Sequence, residues 1–115
     1  MNTITLYGIP NCDTVKKARA YLTERNIDYD FHDFKRQGVP EDLIDQGLQQ
    51  VGWEKLLNRK GTTWRKLDAA TQASVVDAAS AKALMLAHPS LIKRPVTLRT
   101  DGTITVGYDA KVGLL

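Results

Sequence analysis

The stretch "GIPNCDTVKKAR" carries the one cysteine of this 115-residue chain, Cys12. A lone thiol closes no internal disulfide, and two separated histidines without a cysteine cluster do not make a zinc site, so Cys12 is either a buried filler or a reactive group. Its placement between the breakers Gly8 and Pro10 and an apolar-periodic run puts it where a strand ends and a helix begins. Helix-start N–H groups and the positive end of the helix dipole favour thiolate over thiol, and the same groups hold an oxyanion. Asn11 and Thr14 flank the sulfur as hydrogen-bond donors, with capping as the simpler role for Thr14. The second constellation is "LIKRPV", where Arg94 and Pro95 lead into a strand. X-Pro is the one bond type in which a cis peptide is cheap, and a guanidinium beside Cys12 would lower the thiol pKa and grip a carboxylate at two points. Each motif alone has a plain reading, a core cysteine or a strand-entry turn; together they favour chemistry.

The elements that must position them follow from periodicity. "TITLY" reads as a strand, and Asp13 to Arg25, with Val15, Ala18 and Leu22 at helical spacing, as a helix with Asp13 and Thr14 as cap candidates and Asn26 at its exit. "YDFHDF" is a second strand, which makes a βαβ unit with parallel strands. From about Pro40 to about His88 the chain is helical. "PEDLIDQGLQQVG" opens on proline and two acids, "EKLLNRKGTTWRKL" reads as a helix stopped near Gly61 with Thr62 or Thr63 opening another, and Ser80 is the candidate cap of "AKALMLAH". "VTLRTDGTITV" brackets Asp101-Gly102 as an antiparallel hairpin, and "YDAKVGLL" is read as a short closing helix. The expected architecture is a single α/β domain, thioredoxin-like (glutaredoxin-like), with a mixed four-stranded sheet and a helical insertion at about 40–88.

"ITLYGIPNCDTVKKAR", "GTTWRKL" and "HPSLIKRPV" resemble the ArsC family of thioredoxin-fold proteins, which includes arsenate reductases and Spx-type regulators, and are most similar to its YffB branch. The resemblance implies a catalytic thiolate at Cys12, a cis peptide at Arg94-Pro95, and glutathione as thiol partner. The chain departs from the arsenate reductases at Gly8 and Val15, where those have histidine and serine, and "TVGYDA" lacks their third arginine; Arg94 matches one of the three and Arg59 stands near a second. Val15 also removes the second cysteine of an Spx-type switch.

The function expected is therefore monothiol oxidoreduction. Cys12 attacks an oxidised substrate, and an external thiol resolves the intermediate, because one cysteine cannot resolve itself. Glutathione is the expected reducing cosubstrate, glutaredoxin a further candidate partner, and no bound cofactor or metal is expected. Substrate contacts are assigned to Asn11, Thr14, Arg59, Arg94 and Pro95, although Arg59, like Arg65 and Lys60, is more simply read as a solvated or helix-end charge than as a ligand. Arsenate reduction and an Spx-like adaptor are the alternatives. Sixteen basic against thirteen acidic residues give a formal net charge of +3. The basic pairs are scattered, which suits a small anion better than nucleic acid. Without a signal-peptide pattern or membrane-length apolar run, a cytoplasmic monomer is expected.

Overall fold

The computed structural model describes residues 3–109, which divide between two compact units: residues 3–38 with 94–109, and residues 39–93. The first unit carries the sheet. Strands β1 (Ile4–Gly8), β2 (Tyr29–Asp33), β3 (Val96–Leu98) and β4 (Ile104–Val106) form one mixed sheet in the order β2-β1-β3-β4. β1 and β2 run parallel in the register Leu6 to Phe31, while β3 is antiparallel to both β1 and β4. This is the thioredoxin-like arrangement expected from the βαβ start and the late hairpin.

Helix α1 (Asp13–Glu24) makes the crossover and buries Val15, Ala18 and Leu22, the spacing visible in the sequence. Leu6 of β1 packs with Ala18 and Leu22, and Tyr21, Tyr29, Phe31 and Tyr108 close around them. The helix ends at Asn26, which takes a positive φ of 54° that asparagine tolerates better than most residues. There the Ile27 N–H donates to the Leu22 carbonyl and the Asn26 N–H to the Thr23 carbonyl, a Schellman closure that returns the chain towards β2. The sequence did not announce α2 (Phe34–Gln37), a single turn capped by the Asp33 side chain. In the hairpin, Gly102 adopts φ 90°, and the Asp101 carboxylate accepts from the Thr103 N–H at 2.9 Å, so both residues of the turn signal have a use.

The second unit contains α3 (Glu41–Gln50), α4 (Trp53–Leu56), α5 (Thr62–Arg65), α6 (Ala69–Ala73) and α7 (Ala78–Ala87), followed by a 3-10 turn over Pro89–Leu91. Lys82 on α7 clamps Glu41 and Asp45, one turn apart on α3, at 2.7 Å each. Three local expectations are corrected. The Cys12 backbone, not Asp13 or Thr14, occupies the cap position of α1, and Asp13 is its first helical residue. The helix expected to run to Gly61 stops at Leu56, because Leu57 bridges Ile92 and the Asn58 N–H donates to the Leu91 carbonyl at 2.7 Å. Asp77 rather than Ser80 caps α7; Ser80 is the third helical residue and completes a reciprocal capping box. The closing helix expected in "YDAKVGLL" lies, from residue 110 on, outside the described residues.

Asp77→Ala removes an acceptor for an otherwise unpaired helix N–H, so it should lower the unfolding midpoint in a chemical-denaturation comparison. Asp77→Asn, which retains an acceptor oxygen, should cost less than the alanine.

Candidate active site at Cys12

Gly8 determines how closely the cysteine loop can turn. A Cβ on Gly8 would lie 2.8 Å from Cγ2 of Val15, a β-branched side chain with little freedom to move, so the end of β1 and the first turn of α1 approach as only glycine allows. Between them the chain passes through exposed Pro10 and Asn11 to Cys12, whose φ of −139° and ψ of 124° are the extended values of a cap residue. The Cys12 carbonyl accepts the Lys16 N–H at 2.9 Å and opens the helical ladder.

The Arg94-Pro95 peptide is cis. β3 pairs with β1 with Val96 opposite Tyr7, so continuing that register one and two residues brings Pro95 level with Gly8 and Arg94 level with Ile9. Sheet pairing thus delivers a residue more than eighty positions away to the cysteine loop. Pro95 is also tied to β4 through the Gly107 N–H, which donates to its carbonyl at 2.8 Å.

The electrostatics at the sulfur have opposed parts. Partial burial pushes the Cys12 pKa up, while the Val15 N–H, the hydrogen bond and charge of the Arg94 guanidinium, and the Thr14 N–H pull it down; the net result lies below the ordinary thiol value. No hydrogen bond of full capping geometry closes from the Cys12 side chain. The amides act on the sulfur as nearby oriented dipoles, the effect expected of a helix start.

The structure therefore brings Cys12, Thr14, Arg94 and Pro95 together within the first unit, with Asn11 exposed in the same loop. Among the described residues the Asn11 side chain makes no hydrogen bond. Arg59 belongs to the second unit, where its guanidinium lies 5.4 Å from the Trp53 ring centroid beside Lys55, Lys60 and Lys93. Arg65 donates to the Lys60 carbonyl at 3.1 Å. Two contributors escaped the sequence reading. The Val15 amide was missed because an apolar side chain advertises only its core role, although its place three residues after the cysteine marks it as an N–H facing the cap. Gly8 was read as a strand breaker and a departure from a family pattern, and its steric reason appears only when strand and helix are packed. Among the described residues no group of three or more His, Cys, Asp or Glu could hold a metal, and no helix is long and apolar enough to cross a membrane.

A four-stranded mixed sheet with a cysteine at the start of the first helix and a cis-proline entering β3 defines a thioredoxin-fold thiol site. The ArsC family model matches residues 7–112, and the chain belongs to that family. Among solved structures it is similar to a YffB protein, at 49% identity over 93% of this chain and 92% of the other, with a TM-score of 0.86. It is also similar to an arsenate reductase (ArsC) related protein from Brucella melitensis, at 52% identity over 95% and 89% of the two chains and a TM-score of 0.77. The global transcriptional regulator Spx of Bacillus subtilis shares 26% identity over 92% of this chain and 80% of its own.

Thiol alkylation follows the thiolate fraction, so the rate with iodoacetamide should rise with pH through a midpoint at the folded-state pKa and level off above it. Arg94→Ala removes two of the influences that lower that pKa and leaves burial in place, so its midpoint should move to higher pH. Coincident profiles for wild type and variant would remove Arg94 from the site's electrostatics. Gly8→Ala, by forcing Val15 aside, should destabilise by about 1–3 kcal/mol in denaturant unfolding and shift the same midpoint upward.

Proposed function

We propose that the protein is a monothiol, glutathione-dependent thiol reductase. The observation that carries this reading is the meeting, at one sulfur, of the Val15 and Thr14 amides with the Arg94 guanidinium, which together outweigh burial and favour the thiolate. A thiolate is the nucleophile of disulfide exchange, and with one cysteine in the chain the mixed disulfide it forms must be resolved by a thiol from outside.

The steps balance as follows. The Cys12 thiolate attacks the glutathione sulfur of a glutathionylated substrate; the new S–S bond joins Cys12 to glutathione, and the substrate sulfur departs with the electron pair and takes a proton from water. A second glutathione, as thiolate, attacks the glutathione sulfur of this mixed disulfide. That releases oxidised glutathione and returns Cys12 as thiolate, so one added glutathione thiol is consumed for each substrate thiol released, the other half of the oxidised glutathione coming from the substrate's own disulfide. Arg94, beside the sulfur, stabilises the negative charge that develops on Cys12 as leaving group and offers a carboxylate of glutathione a two-point contact. Both families of donor are in place before substrate arrives, which lowers the reorganisation needed during exchange.

Arsenate reduction remains the alternative chemistry within the family. It requires an oxyanion to be held before sulfur attack, and Val15 stands where the family's reductases place a serine hydroxyl beside the cysteine.

Cys12→Ser should abolish reduction of a glutathionylated peptide by glutathione while leaving the circular dichroism spectrum and unfolding midpoint near those of the wild type. Peptide reduction that survives the substitution would refute the mechanism. Turnover of arsenate with glutathione and glutaredoxin, in the absence of peptide reduction, would favour the alternative.

A further inference from the structure

A second feature of the first unit lies beside the cysteine loop. Pro10, two residues before Cys12, forms the rim of a cleft of about 470 Å³ whose other walls are Arg19 of α1, Phe31 and Asp33 of β2, and Arg36 and Gln37 of α2. That volume is within the range of small-molecule sites. Two residues of extended chain span at most about 7 Å, so the rim and the thiol are near neighbours. The cleft also lies at the carboxyl ends of the parallel strands β1 and β2, the end of an open α/β sheet where ligands characteristically bind.

Its charges are arranged rather than scattered. Arg19 is held on two sides: its Nε donates to the Tyr29 hydroxyl at 3.0 Å, and its guanidinium carbon lies 4.3 Å from the centroid of the Phe31 ring. This leaves its terminal amino groups outside the Tyr29 bond. Arg36, exposed on α2, adds a second cation. Among the described residues, neither arginine forms a salt bridge with a carboxylate. Against these two stands Asp33, only 8% exposed, with one oxygen committed to the Lys35 N–H at 2.9 Å. The Gln37 side-chain oxygen accepts the Asp33 N–H at 3.0 Å, so its amide is fixed with N–H donors to spare. A simple anion would be opposed by Asp33, and a simple cation by the arginines.

We propose that this cleft binds the zwitterionic α-amino-acid end of the small thiol or disulfide whose sulfur reacts at Cys12. The carboxylate lies between Arg19 and Arg36, the ammonium group meets Asp33, and the aliphatic stem runs past Phe31 and Pro10 towards the thiol. The assignment rests on the thiol-reductase reading for its substrate, while the cleft itself is testable without any chemistry at sulfur.

The test uses the full chain with Cys12→Ser, so that no covalent bond forms, and S-methylglutathione as probe, followed by backbone amide NMR. The amide signals of Phe31, Asp33 and Gln37 should shift on titration. Arg36→Ala should weaken binding by about tenfold or more, the effect of losing one charge-assisted hydrogen-bonding partner. Asp33→Asn keeps a capping oxygen for α2 and should weaken S-methylglutathione by a similar factor, yet leave the N-acetylated analogue, which lacks the ammonium charge, unaffected. Absence of binding, shifts confined to other residues, or unchanged affinity in both variants would overturn the assignment. Oxidised glutathione added to the wild-type chain separates the two readings. A Cys12 mixed disulfide that leaves the cleft signals in place retains the reductase and rejects the cleft; a responsive cleft beside an inert thiol does the reverse.

Discussion

At the Cys12 sulfur, burial favours the neutral thiol, and the Val15 and Thr14 amides with the Arg94 guanidinium favour the charged one. The rest of the first unit can be understood as the means of keeping that opposition in favour of charge. The amides are available because Cys12 occupies the cap position of α1, where helix N–H groups lack backbone partners. Arg94 is available because β3 runs antiparallel beside β1 and enters from the same end as the cysteine loop. The amides reach the sulfur locally, whereas Arg94 would be carried away from it if β3 slipped along β1 by a residue.

Packing enforces that precision. The end of β1 comes against the first turn of α1 at Gly8 and Val15, with no room for a Cβ between them. Further along the same face of β1, Leu6 packs against Ala18 and Leu22, so α1 is fixed along its length rather than at one point. A helix held in this way keeps its N-terminal dipoles aimed at one position without support from a side-chain cap, and that position is given to a thiol. Ordinary capping residues would satisfy the same N–H groups more fully and do no chemistry.

Much of this was legible beforehand, and for identifiable reasons. Val15, Ala18 and Leu22 recur at helical spacing because they face the sheet, and Asp101-Gly102 marks the hairpin because the turn needs both a positive φ and a short acceptor. The pairing of Cys12 with Arg94 could be suspected from sequence because each motif sits at a strand boundary. What was not legible depended on long-range contacts. The helix after Trp53 ends at Leu56 because residues 57 and 58 pair with the segment before Arg94, a tertiary demand that overrides the helical run in "EKLLNRK". The cap of α7 was misplaced by three residues because Asp77 and Ser80 satisfy each other and either could begin a helix alone. Arg59 entered the candidate set through the family resemblance; in the structure it lies in the helical unit, with its guanidinium 5.4 Å from the Trp53 ring centroid.

The central claim is that folding itself makes Cys12 acidic. The direct measurement is thiolate absorbance at 240 nm against pH, for the folded chain and for the same chain in concentrated urea, with the Cys12→Ser protein subtracted to remove tyrosine. The account predicts a folded midpoint below the unfolded one, since the amides and Arg94 act on the sulfur only when α1 and β3 are in place. A folded midpoint equal to or above the unfolded one would mean that burial prevails at the sulfur, and would contradict the account.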